Sequence, residues 1–148
     1  MNRGPSNFSI KIFKTCAWAV SLYHLTFGLI GTFAPSKIVI QISSTVFGMV
    51  LDYNQQVIAF SRFLGPFFIL LGVISALIAL YPHKYHDLIW LIVLIFVLRI
   101  FASIFYFDVI HEAFEISAFR DAISIFWLAF FSTGLIIFRP KNLDTKNE

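Results

Sequence analysis

Long apolar stretches alternate with short polar ones along the chain, and this pattern predicts membrane-spanning helices. Each stretch approaches the roughly 20 residues that a helix needs to cross a hydrocarbon core about 30 Å thick. The four predicted spans cover residues 16–34, 56–81, 88–107 and 122–138. We therefore predict an all-α fold in one integral membrane domain, residues 1–148: an antiparallel four-helix transmembrane bundle with an interfacial element between helices 1 and 2.

The interfacial element is predicted within residues 35–54, where the chain is less apolar. Ile38, Ile42, Val46 and Met49 recur at steps of three or four, as on the apolar face of a helix. The β-branched residues of this segment would also suit a strand. Because lipid does not tolerate an open strand edge, the interfacial helix is the favoured interpretation.

Small side chains recur at helical spacing in the first two predicted spans. Stripes of this kind let two helix backbones approach closely, as packing in membranes favours. We therefore expect them to form packing faces. The first stripe comprises Ala17, Ser21, His24, Gly28 and Gly31, and the second comprises Arg62, Gly65, Gly72, Ala76 and Ala79.

The distribution of lysine and arginine predicts the side that each loop occupies. Cytoplasmic loops of membrane proteins carry the excess of these cations. Both termini are therefore predicted to be cytoplasmic, in an inner or plasma membrane. The predicted cytoplasmic side holds seven cations, Arg3, Lys11, Lys14, Lys84, Arg139, Lys141 and Lys146, and the other side holds three, Lys37, Arg62 and Arg120.

Composition narrows the class of protein further. The chain is 59% hydrophobic and 13% charged, a balance that a water-soluble domain of this size could not bury. The net charge is +3, but the cations are scattered at membrane edges, so nucleic acid is excluded as a partner. Cys16 is the single cysteine, which excludes an internal disulfide and a cysteine-based metal cluster, and no cofactor is predicted. The first apolar run has the charge layout of a signal peptide, but it is longer than a signal core and Pro35 would follow the cut.

Arg99 is the single formal charge within the third predicted span, near the middle of the membrane. Facing lipid there costs between about 2.5 and more than 10 kcal/mol, so the side chain must face protein or a water-filled cavity. Arg62 and Arg120 lie at the start of the spans that enter the membrane from the outer side. Tyr106 lies about two turns from Arg99 on the same face of the third span. The candidates for an outward-facing polar pocket are Arg99, Arg62, Arg120, Tyr106 and His24.

Two interpretations of this cluster remain open. The arginines would either form internal ion pairs with Asp108, Glu112 and Asp121 at the rim, or receive an anionic or polar ligand such as a lipid head group, a quinone or an organic acid. His24 has two interpretations as well. It is either a neutral, hydrogen-bonding core residue or a metal or haem ligand, and a second histidine at matching depth is missing.

An acidic segment after the third span offers weak candidates for a metal site. Asp108, His111, Glu112 and Glu115 share one helical face, and the Asp-x-x-His spacing is half of a di-iron carboxylate motif. The other half does not occur in another span. The favoured interpretation is therefore an amphipathic connector without metal.

Several short motifs resemble those of the small four-helix membrane proteins grouped as DoxX-like and BphX-like. They are FGLIGTFAP at the end of the first span, Arg62 with Gly65 and Gly72 in the second, an arginine in the third, and Arg139-Pro140 after the fourth. The resemblance covers most of the chain and implies a four-helix fold. It implies almost no specific reaction. Some relatives accompany oxidative or degradative pathways, but this association does not identify a chemical step.

The leading functional hypothesis is a non-enzymatic membrane protein that binds or passes a small amphipathic or anionic molecule through the outward-facing pocket. Its expected partners are the lipid bilayer, this ligand, and either a membrane-protein partner or a second copy of the chain. One alternative is a structural or accessory subunit of a larger membrane complex. Another is a membrane oxidoreductase or metal enzyme that uses His24 or the acidic face.

Overall fold

The computed structural model describes residues 7–49 and 55–140, and within these ranges the chain is helical and contains no β-strand. This confirms the predicted all-α fold. A π-helical turn, Ser43–Phe47, follows α2, and a 3₁₀ turn, His86–Leu88, precedes α4. The α-helices of the described ranges are α1 (Asn7–Phe33), α2 (Ser36–Ile42), α3 (Gln55–Leu80), α4 (Ile89–Phe105), α5 (Phe107–Phe114) and α6 (Ala118–Ile137).

Three of these helices are long and apolar enough to cross a membrane, over Phe8–Phe33, Val57–Leu80 and Ala118–Ile137. A fourth crossing results if α4 and α5, which meet at a bend of 80°, count as one broken span. The helices therefore support the predicted multi-pass membrane protein. The number of four spans and their antiparallel arrangement remain predictions.

The third apolar run ends earlier than the predicted span of residues 88–107. α4 stops at Phe105, and the chain turns at Tyr106 (φ −108°, ψ 25°) into α5. The sequence of α5 explains this turn, because its carboxylates, including Asp108, are exposed while Ile110 and Phe114 are partly buried. A helix with two such faces is most stable in the membrane interface, where water and hydrocarbon meet.

The first and last long helices begin earlier than predicted. α1 includes Lys11 and Lys14 because the same turns carry Phe13, which is completely buried. α6 begins at residue 118 instead of 122, after Ser117 in an extended conformation. Asp121 in the first turn of α6 favours this start, since a carboxylate there interacts with the positive end of the helix dipole.

The element between α1 and α3 is helical over its described residues, which confirms the prediction of a helix instead of a strand. Pro35 occupies the N-cap position of α2. The π-helical turn ends at Gly48, whose φ of 69° is in the left-handed region that favours glycine. Residues 50–54 of the predicted element lie outside the described residues.

α1 and α3 pack against each other in antiparallel orientation through their small-residue stripes. A Cβ atom at Gly28 would lie 2.7 Å from the backbone nitrogen of Ile69, and one at Gly72 would lie 2.8 Å from that of Leu25. Ser21 Oγ donates a hydrogen bond to the carbonyl oxygen of Gly72 at 2.9 Å. These contacts confirm the predicted packing faces, and no larger side chain fits at the two glycines.

The buried core lies toward one end of the molecule, where residues 81–88 connect α3 to α4, and we call this end the loop end. Phe13, Ala17, Ile78, Ile89 and Leu135 are each at most 1% exposed there, and they come from α1, α3, α4 and α6. We call the other end, which carries α2 and α5, the interfacial end. Large apolar side chains of α4 and α6 are exposed toward that end, as lipid-facing positions are: Phe101, Ile104, Phe105, Phe119, Ile123 and Phe126.

Candidate functional site

His24 lies where the buried core gives way to the interfacial end. Its side chain is 3% exposed, and its imidazole stacks with Phe68 of α3 and Phe96 of α4 at centroid distances of 5.6 and 5.7 Å. Nδ1 donates a hydrogen bond to the carbonyl oxygen of Val20 at 2.8 Å. Because a carbonyl oxygen only accepts, Nδ1 carries a proton, and the neutral ring has its lone pair on Nε2.

Arg99 lies about one turn beyond Phe96 on α4, and the ring of Phe96 stacks with the imidazole of His24. The side chain is partly exposed. Along a helix rising about 1.5 Å per residue, its Cα is about 15 Å from the start of α4 and about 10 Å from the bend at Tyr106. Within residues 7–49 and 55–140, no hydrogen bond or ion pair is made by its guanidinium.

Arg62 is held at the C-terminal end of α1. Its guanidinium donates hydrogen bonds to two backbone carbonyl oxygens, that of Gly31 at 3.0 Å and that of Ala34. The last carbonyls of a helix lack partners within the helix and carry partial negative charge. Arg62 therefore caps α1 and joins it to α3.

Arg120 has a similar role at the π-helical turn. From the first turn of α6 it donates a hydrogen bond to the backbone carbonyl oxygen of Ser44 at 3.3 Å. Its side chain lies so close to Gly48 that a Cβ atom there would approach Arg120 Cδ to 2.3 Å. Arg120 thus links the interfacial element to α6.

The internal ion pairs that formed one interpretation of the arginine cluster do not occur among the described residues. None of Arg62, Arg99 and Arg120 lies within salt-bridge distance of a carboxylate in that part of the chain. An ion pair does form at the loop end, where Arg139 Nη2 lies 2.5 Å from Asp87 Oδ1. Two of the three candidate arginines are therefore engaged by backbone carbonyls, and Arg99 has no hydrogen-bond or ion-pair partner among residues 7–49 and 55–140.

The remaining candidates lie around α5. Tyr106 is 62% exposed at the bend between α4 and α5. Asp108, Glu112 and Glu115 are exposed, whereas the ring of His111 packs on Phe107 with its centroid 4.3 Å away. No three histidine, cysteine or carboxylate side chains of the described residues are placed to hold one metal ion. The segment forms a helix, α5, with carboxylates on an exposed face, and the expectation that it binds no metal stays a prediction.

The sequence pattern did not predict the capping role of Arg62 and Arg120. A signal for Arg62 was present, because an antiparallel pair in register at Gly28 and Ile69 brings position 62 near the end of α1. No comparable signal exists for Arg120. Its partner Ser44 is more than 70 residues away, in an element whose position depends on tertiary packing.

The fold and the site define a helical membrane protein with a charged side chain inside one of its helices. The chain matches no family model, no curated protein and no solved structure. Its similarity to the DoxX-like and BphX-like group therefore remains a prediction.

The contact between Arg120 and Gly48 gives the first testable prediction. Gly48→Ala should lower the free energy of unfolding by about 1 to 3 kcal/mol, because the new methyl displaces Arg120 and strains a left-handed backbone position. Thermal unfolding in detergent measures the effect. When Arg120 is also replaced by alanine, Gly48→Ala should lower the free energy of unfolding by only about 1 kcal/mol. This remainder is the cost of alanine at a left-handed backbone position.

Gly134→Ala is the matched control for this prediction. A Cβ atom there meets only Cys16 Sγ, at 3.1 Å, and the backbone is helical. We expect a change below about 1 kcal/mol or slight stabilisation, since alanine favours helix over glycine. Equal losses for Gly48→Ala with and without Arg120 would show that the contact does not hold the interfacial element.

Proposed function

We propose that this protein is a non-enzymatic integral membrane protein that binds or passes a small amphipathic or anionic molecule at a site formed by Arg99 and His24. One observation carries the proposal: Arg99 lies inside α4, one turn from the Phe96 ring that stacks on the buried His24, with no carboxylate or carbonyl partner among the described residues. The site faces the interfacial end, where α4 and α6 leave large side chains exposed.

The energy of an unpaired charge in the membrane supports this proposal. An arginine within the hydrocarbon region is unfavourable by at least about 2.5 kcal/mol, and by more when it lacks water or a partner. Ion pairs with the acidic residues of α5 would remove this energy, but they are not formed in the described part of the chain. An anionic ligand supplies the missing partner. It binds more tightly than it would to an arginine that already has an ion pair, because no existing contact must be broken.

The proposed topology has four spans, with α4 and α5 as one bent unit and both termini in the cytoplasm of an inner or plasma membrane. The cations that suggested this orientation are partly outside the described residues, namely Arg3, Lys141 and Lys146. Reporter domains fused after residue 148 and within residues 108–112 should lie on opposite sides of the membrane. Reporters on the same side would exclude four spans with an outward-facing site.

Mass spectrometry of the intact protein tests the proposed function. Wild-type protein extracted under mild conditions should carry a small molecule in about one-to-one ratio, and Arg99→Met should lose most of it because the anion has lost its charged donor. Arg139→Met is the matched control. It makes the same change of charge at the loop end, where the arginine is paired with Asp87, and should keep the molecule.

Other results of the same measurement would point elsewhere. A protein that co-purifies in fixed ratio with wild-type and Arg99→Met chains alike would favour the accessory subunit. A metal or haem bound in fixed ratio would favour the enzyme. Equal amounts of small molecule on wild type and Arg99→Met would contradict a site at Arg99.

A further inference from the structure

The charge at the site limits the charge of the molecule that fits it. Arg62 and Arg120 donate to carbonyl oxygens at the ends of α1 and of the π-helical turn, so Arg99 is the cation without a partner among the three candidates in the described ranges. One positive charge in a low-dielectric region is neutralised by one negative charge. A group with two charges would leave an excess anion in the membrane.

The position of Arg99 limits the size of the charged group. Its Cα is about 10 Å, or nearly two helical turns, below the bend into α5. A ligand must carry its charged group this far from the interface, which favours a small group with little bound water. A planar carboxylate also matches the two parallel N–H groups of a guanidinium, which a compact ammonium cannot offer.

The surroundings of Arg99 define where the rest of the molecule lies. On the loop side, Phe96 and His24 are 2% and 3% exposed, so that side is closed. On the interfacial side, the face of α4 that carries Arg99 continues through Ala102, which is exposed, to Tyr106, which is 62% exposed at the bend. An apolar chain therefore fits along α4 toward the bend, in line with the lipid chains.

We infer that the ligand is a single-chain amphiphile with one carboxylate, whose head group binds Arg99 and whose chain lies along the interfacial half of α4. This inference rests on the proposed function, because it names the chemical class of the molecule at the same site. The carboxylate accepts two hydrogen bonds from Arg99. His24 and Phe96 form the closed side of the site and position the head group.

The test uses protein stripped of lipid and four probes, each read by mass spectrometry of the intact protein. The probes are palmitate, methyl palmitate, hexadecyl phosphate and dioleoyl phosphatidylglycerol, all in the same detergent. We expect one palmitate per chain and at least tenfold less methyl palmitate, which has the same chain without the charge. Hexadecyl phosphate and the two-chain phospholipid should bind several-fold more weakly than palmitate.

Two variants assign the binding to Arg99. Arg99→Met should reduce bound palmitate at least tenfold, and Arg99→Lys should reduce it several-fold, since the charge remains but the two-point contact is lost. Adding palmitate should raise the melting temperature most for the wild-type protein, less for Arg99→Lys and least for Arg99→Met. Because Arg99→Lys keeps the charge, and methyl palmitate is compared on the wild-type chain, the test does not depend on the folding of Arg99→Met.

The outcomes separate this inference from the proposed function. If palmitate binds no better than methyl palmitate, the inference that the ligand carries a carboxylate is overturned. If the phosphate or the phospholipid then binds in an Arg99-dependent manner, the proposed function stands with another head group. If no probe depends on Arg99, and the molecule carried by freshly extracted protein does not either, both are overturned.

Discussion

Gly28→Leu should prevent α1 and α3 from packing as they do in the wild-type protein, with a loss of at least about 3 kcal/mol in the free energy of unfolding or no folded protein at all. The obstacle is backbone, not side chain. A Cβ atom at Gly28 would lie 2.7 Å from the backbone nitrogen of Ile69 and 3.0 Å from the carbonyl oxygen of Gly65. Neither atom can rotate away, so the two helices must separate.

Gly72→Leu should have a similar effect, because its Cβ atom would lie 2.8 Å from the backbone nitrogen of Leu25. Separation of the helices would also break the hydrogen bond from Ser21 Oγ to the Gly72 carbonyl oxygen. Thermal unfolding in detergent, followed by tryptophan fluorescence, measures both variants.

Val73→Leu is the control for these two substitutions. It enlarges the neighbouring side chain, which is 44% exposed, so we expect a change below about 0.5 kcal/mol. Wild-type melting temperatures for Gly28→Leu and Gly72→Leu would show that the glycine stripes do not form the interface between α1 and α3.

Arg99→Met should leave the ligand-free protein as stable as wild type or more stable, by up to a few kcal/mol. The substitution removes a charge that has no partner among the described residues and puts an apolar side chain in its place. If instead Arg99 held the helices together, its acceptors would lose their donor and the protein would be destabilised. Stability of delipidated protein therefore separates a binding role from a structural role.

Arg62→Met is the matched comparison, with the same chemical change and the opposite expected sign. Arg62 donates to the carbonyl oxygens of Gly31 and Ala34, so its removal should cost about 1 to 3 kcal/mol. Adding the molecule that co-purifies with the wild-type protein should raise the melting temperature of Arg62→Met but not that of Arg99→Met. Destabilisation of both variants to the same extent would contradict a special role for Arg99.

Periodicity and run length predicted much of the fold, because they depend on local chemistry. The 56–81 run became α3 at Gln55–Leu80, since a long and mostly apolar helix satisfies its own backbone hydrogen bonds in a membrane. The stripe from Ser21 to Gly31 was predicted for the same reason, as glycine spacing directly controls how closely two helices approach.

Features that depend on where a helix leaves the hydrocarbon were predicted less well. The run of residues 88–107 gives no local signal for a break at Tyr106, and the bend follows from the two faces of α5 that come after it. The early start of α6 at Ala118 also could not be predicted from the apolar run alone. It depends on Ser117 and Asp121, which lie before the apolar residues that marked the predicted span.

The candidate site was predicted in part. The charge of Arg99 inside an apolar run and the place of His24 in the small-residue stripe are properties of the sequence, and in the structure Phe96, one turn from Arg99, stacks on His24. Which arginines are engaged was not predictable, because the partners of Arg62 and Arg120 are backbone carbonyls. Such acceptors are present at every residue and leave no mark in the sequence.

A crystal structure of protein extracted with its native lipids is the most direct test of the central claim, that Arg99 binds a molecule from outside the chain. We expect non-protein density within about 3 Å of the guanidinium, on the side away from His24 and Phe96, with an extended tail along α4 toward Tyr106. A carboxylate of the chain itself in that position, with no further density, would contradict the claim and make Arg99 a structural residue.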